Sequence, residues 1–162
     1  MEGSRWDDFH HKSELQKELK LELTKIGKEY KWEMSHRLPF HEGPCKNIHG
    51  HTYRLIIELE GTLVNEAMVV DYYDIDQIFK PILQQLDHAF LCDKDDVEVI
   101  DFLKSQGFKL FVIDYLTTSE NIVTFFLEIA KQKFKYFDNL HSLKIRVYET
   151  EDAYAERTVK LK

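Results

Sequence analysis

Half of the chain's eight histidines and one of its two cysteines fall between residues 36 and 51. The organising stretch is Cys45-Lys-Asn-Ile-His49-Gly-His51, read together with Ser35-His36-Arg37 just before it. His49 and His51 are two apart, so they share one face of any extended strand they occupy. Two imidazoles on one face can grip one ion. Three neutral imidazoles with no further protein ligand make a catalytic zinc site with an open position, whereas structural zinc is closed by four ligands. Cys45 leaves that second arrangement open, because a Cys/His set of four could be a closed structural site. Its isolation on a loop, without paired Cys-x-x-Cys spacing, suits a nucleophile or base better. The plain alternative is that these are ordinary surface and core histidines.

The elements that must position these groups are strands. Tyr30-Lys-Trp32-Glu-Met34-Ser-His36 alternates apolar and polar with period two, which sets His36 on the face of Tyr30, Trp32 and Met34. We expect a first strand over about Glu29–Arg37, a loop with Pro39, Gly43 and Pro44, and a second strand over about His49–Glu60, rich in aromatic and β-branched residues. If the two strands pair, the three histidines converge. Met68–Asp71 reads as a short continuation of the sheet. A helix follows over about Tyr73–Leu86, with Ile75, Ile78, Phe79, Ile82, Leu83 and Leu86 on one stripe, Asp71 or Asp74 as its cap and Pro81 as an interior kink.

That helix ends in Asp87-His88, an acid directly beside an imidazole that can present both groups to a third one. A helix-terminal histidine near the favourable end of the dipole is the simpler reading of His88 alone. Val97–Lys104 suggests a short helix and Phe108–Ile113 a strand, with Cys92 an incidental thiol. Thr117-Thr118-Ser119-Glu120 reads as a capping box for a long helix over about Ser119–Phe134. Two strands, about Leu143–Thr150 and Ala153–Leu161, close the chain. Glu149 shares a face with Ile145 and Val147 by parity, and a carboxylate at an apolar position invites a role, although a wet edge position accounts for it as well.

At 162 residues the chain is one domain by length. Residues 1–27 read as an extension, with Leu15, Leu19, Leu23 and Ile26 giving Ser13–Lys25 a helical period or else lying in a disordered arm. Residues 28–162 carry the fold. No apolar run reaches bilayer length and the N-terminus lacks a signal-peptide layout, so the expected location is the cytoplasm. Two cysteines do not make a disulfide framework. A net charge of −7, spread along the chain, disfavours nucleic acid as partner but not a small anionic substrate. The order of strands and helices predicts an α+β domain, an antiparallel sheet with helices on one side.

Taken together, Ser35-His36-Arg37-Leu38, Cys45-x-x-x-His49-Gly-His51, Leu86-Asp87-His88, Thr117–Asn121 and Tyr148-Glu149-Thr150 resemble the 6-pyruvoyl-tetrahydropterin synthase family from about residue 28 to the end. The Cys-to-His spacing resembles its bacterial carboxy-forming branch, which feeds queuosine biosynthesis. The resemblance implies the tunnelling fold (T-fold), with a four-stranded antiparallel sheet and two helices per subunit. Sheets of neighbouring subunits join into a barrel, as a trimer or a dimer of trimers, with active sites between subunits. It implies Zn2+ on His36, His49 and His51, Cys45 as proton acceptor with Asp87 and His88 as its relay, and Glu149 as pterin anchor and relay member. Thr117 and Thr118 are expected at the substrate.

The implied reaction is a lyase conversion of 7,8-dihydroneopterin triphosphate to 6-carboxy-5,6,7,8-tetrahydropterin, with loss of acetaldehyde and triphosphate. A pyruvoyl-forming synthase and a non-catalytic pterin-binding module are the alternatives. An unrelated zinc hydrolase would want an acidic base beside His-x-His and gives Glu149 nothing to hold. Two features depart from the short bacterial form: the N-terminal extension and the long segment between His88 and Thr117.

Overall fold

In the computed structural model, residues 22–64 and 67–162 are described. The frame is a hairpin of β1 (Thr24–His36) and β2 (His49–Gly61), paired without interruption from Thr24↔Gly61 to His36↔His49. After it come α1 (Tyr72–Leu86), β3 (Ala89–Asp93), α2 (Val97–Ser105), β4 (Leu110–Ile113), α3 (Ser119–Phe134), β5 (Leu140–Tyr148) and β6 (Tyr154–Lys160). The sheet order is β4-β3-β1-β2-β5-β6. The expected four-stranded antiparallel sheet is its β1-β2-β5-β6 part. On the other flank β3 pairs parallel to β1, and β4 parallel to β3.

Period-two alternation decides the faces. Trp32, Met34, Tyr53, Leu55, Ile57, Leu59, Leu143, Ile145 and Val147 point to one side, where Phe79 and Leu83 of α1 and Phe126 and Phe134 of α3 bury them. Removing either fully buried ring, Phe79 or Phe126, costs about 3–5 kcal/mol. The opposite face carries charge, including the ion pairs Lys144–Glu58 and Arg146–Glu156, and among the described residues no helix covers it. A small separate cluster of Phe90, Cys92, Val99, Ile100 and Leu103 fills the space between α2 and β3. Among the described residues no helix is long and apolar enough to cross a membrane.

Several boundaries differ from expectation. β1 begins at Thr24, so Thr24 and Lys25 extend the hairpin instead of ending a helix; residues 1–21 of the expected extension lie outside the described residues. Met68 makes only an isolated bridge with Val64, and Asp71 caps α1 by accepting from the Tyr73 amide at 2.8 Å. Pro81 does sit inside α1. β3 went unread because four of its five residues are buried, which erases the alternation that marks a half-buried strand. The cap of α3 is Thr118, whose hydroxyl accepts from Asn121, one residue later than a Thr117–Glu120 box requires.

Candidate active site

The hairpin register builds the histidine cluster. His36 lies directly opposite His49, and His51 opposite Met34, so all three rings reach the same face at the same end of the hairpin. Their ring centroids are 4.6, 4.9 and 5.4 Å apart, and one nitrogen from each lies within 4.8 Å of the other two. At Gly50 a Cβ would come 3.2 Å from the Met34 carbonyl, so glycine there eases the close approach of the two strands.

The hydrogen bonds fix which nitrogens face inward. Nδ1 of His36 is 2.9 Å from the Thr117 carbonyl and Nδ1 of His49 is 2.8 Å from the Asn47 carbonyl. A carbonyl only accepts, so in both rings the proton sits on Nδ1 and Nε2 offers a lone pair. Nε2 of His36 and of His51 are buried with no hydrogen-bond partner. Burial pushes His36 down to about 4 against the opposing Thr117 bond, with His49 and His51 adding to the fall; burial also lowers His51. Neutral imidazoles with free, converging Nε2 atoms are the donor set that a zinc ion needs. The chemistry of the cluster fits that metal.

Glu149 stands beside it, just past the end of β5, its amide held by the Ala153 carbonyl at 3.1 Å. Its Oε1 is 3.3 Å from Nε2 of His36. With the His36 proton on Nδ1, two acceptors face each other there, an arrangement that a cation relieves. The buried Tyr53 hydroxyl, kept protonated by burial and by Glu149, donates to the same Oε1 at 3.4 Å. Sequence reading missed Tyr53, although positions 49, 51 and 53 share one face by parity.

Cys45 lies in a 3-10 turn, Pro44–Lys46, within the β1–β2 loop, and its carbonyl accepts from the Leu38 amide at 2.8 Å. This brings the loop back over the strand end that carries His36. His41, in the same loop, accepts from the Gly43 amide and stays outside the cluster.

Asp87 and His88 meet each other, with Oδ2 to Nδ1 at 3.0 Å. Asp87 also accepts from the Glu33 amide at 3.0 Å, and that bond, outweighing desolvation, holds its carboxyl below the usual range. His88 turns the chain from α1 into β3 with φ 57°, a left-handed helix-end conformation, and donates its amide to Glu33. Its ring is exposed and lines an open groove with Glu33, Ser35, Gly50, Thr52 and His51. Among the described residues no hydrogen bond joins the Asp87–His88 pair to Cys45 or to the histidine cluster. Thr117, expected at the substrate, is 2% exposed, and its hydroxyl donates to the Arg37 carbonyl at 2.9 Å. Thr118 spends its hydroxyl on the helix cap.

The family model for 6-pyruvoyl tetrahydropterin synthase matches residues 25–159. The chain belongs to that family. The 6-carboxy-5,6,7,8-tetrahydropterin synthase of Haemophilus influenzae is 35% identical over 142 residues, covering 83% of this chain and 98% of the relative. The Aquifex aeolicus protein of the same name is 28% identical over 69% of this chain and 74% of its own length. Among solved structures, the 6-pyruvoyl tetrahydropterin synthase of Plasmodium vivax superposes with a TM-score of 0.69 at 14% identity, covering 86% of this chain and 99% of that one. The fold is therefore the family's T-fold, and the chain is an enzyme of the pterin synthase lyase type.

Proposed function

We propose that this chain is a zinc-dependent lyase converting 7,8-dihydroneopterin triphosphate and one water to 6-carboxy-5,6,7,8-tetrahydropterin, with release of acetaldehyde and triphosphate, in cytoplasmic queuosine biosynthesis. The observation that carries the reading is the set of three histidine nitrogens within 4.8 Å of one another, with Glu149 at their edge. His36, His49 and His51 would hold zinc, which would supply a Lewis acid for the substrate side-chain hydroxyls. Cys45 is the proton acceptor for the substrate side chain. His88, oriented by its bond to Asp87, passes protons on. Glu149 accepts two hydrogen bonds from the amino-pyrimidine edge of the pterin, which fixes the side chain relative to Cys45.

The exposed Asp87–His88 pair, without a bond to Cys45 in the same chain, supports a homo-oligomer, trimer or dimer of trimers, in which one subunit's pair serves a neighbour's cysteine. The carboxy product is favoured by the Cys-x-x-x-His-Gly-His spacing and by the names of the H. influenzae and A. aeolicus relatives.

The test is incubation of purified, zinc-loaded protein with dihydroneopterin triphosphate beside Cys45→Ala, with products identified by mass spectrometry. Carboxy-tetrahydropterin and acetaldehyde, absent from the variant, are expected. A pyruvoyl product would move the chain to the sister activity, and pterin binding without turnover would leave a binding module.

A further inference from the structure

The segment between His88 and Thr117 begins at the groove and ends at the histidine cluster, and it is fastened to β1 at the residues that matter. Thr117 holds β1 twice: its carbonyl accepts from Nδ1 of His36 and its hydroxyl donates to the carbonyl of Arg37, both at 2.9 Å. The Arg37 guanidinium in turn binds the Asp96 carboxylate through two bonds of 2.7 and 2.6 Å. Asp96 is only 7% exposed at its side chain and sits immediately before α2. A two-bond Arg–carboxylate pair fixes orientation as well as distance.

From this geometry we infer that Thr117 and the Arg37–Asp96 pair are positioning residues that set the metal affinity of the cluster through His36. The Thr117 carbonyl selects the tautomer and the ring plane; the hydroxyl and the ion pair stop the β1 end from swinging away from it. Groups that orient a metal-binding histidine in this way typically change affinity by about 10–100-fold when removed. The inference rests on the three histidines being a metal site and is independent of any substrate.

The experiment is competition for Zn2+ between the folded protein and a chromophoric chelator, with Co2+ absorption as a second reading. Thr117→Val keeps the carbonyl and removes the hydroxyl; Asp96→Asn keeps the shape and weakens the pair. Both are expected to bind Zn2+ about tenfold more weakly, and Thr117→Ser to restore wild-type binding. A residue with only a structural role would lower the melting temperature of the metal-free protein and leave affinity unchanged. Wild-type affinity in both Thr117→Val and Asp96→Asn overturns the inference, and if the valine variant does not fold the asparagine variant decides alone. Failure of the wild type to bind Zn2+ or Co2+ overturns the metal assignment and the inference with it, whereas failure to process a pterin touches neither.

Discussion

The middle and the loop end of the β1–β2 hairpin treat their polar groups in opposite ways. At mid-strand the Tyr30 hydroxyl donates to Asp76 at 2.7 Å, and Lys28 and Lys80 close on the same carboxylate at 2.6 and 2.9 Å. At the His36 end, on the same face, two imidazole nitrogens are buried with nothing to bond. An unpartnered buried polar atom costs about 1–3 kcal/mol. One strand face thus carries a satisfied network that serves stability and an unsatisfied one that could hold a metal ion. Under the proposed function, the chemistry sits where the hydrogen bonding is incomplete.

The largest effect that would sharpen this contrast is His49→Ala, which should weaken Zn2+ binding by at least about 100-fold and abolish turnover, while the metal-free protein melts close to wild type. Metal content after dialysis and a melting curve check both halves; global unfolding of the variant would break the comparison. Cys45→Ala should lower product formation by about 10²–10⁴-fold with zinc content unchanged, measured in the same preparation.

Asp76→Asn should do the reverse, removing about 1–3 kcal/mol of stability while zinc still binds. Burial alone would raise the Asp76 carboxyl, but hydrogen bonds from Lys28, Tyr30 and Lys80 hold it well below the usual range. A depressed carboxyl contributes stability that is complete above its unfolded value and is lost as pH falls through its folded one. The gap in unfolding free energy between wild type and Asp76→Asn should therefore be full at pH 7 and shrink below about pH 4. The smallest effect is that of Tyr53→Phe. It keeps the stack on Trp32, at 5.3 Å, and removes only the donor to Glu149. A rise in KM for the pterin of roughly 2–10-fold, with metal affinity unchanged, is expected from steady-state kinetics.

The histidine cluster was legible because strand parity is a sequence property: Trp32, Met34 and His36 share a face for the same reason that His49 and His51 do. Tyr53 belongs to that pattern by parity, but an aromatic on a strand face is equally what a core requires, so its type alone does not mark it. Thr117 could be singled out by type but not by role, since what it gives His36 is a backbone carbonyl, and any residue has one. The Arg37–Asp96 pair joins positions 59 apart, and nothing local marks it. β3 was obscured by its shortness and by burial on both faces, whereas β4 was legible as Phe108–Ile113 and begins two residues later in the structure.

The His36–Thr117 hydrogen bond spans 81 residues, which gives it a place in time as well as in space. The hairpin can zip from local contacts, but a loop of that length closes late and at an entropic cost that grows with the logarithm of its size. During refolding, tight zinc capture should lag behind hairpin formation and keep pace with the docking of the chain entering α3, so uptake of the metal would serve as a clock for the final step of folding.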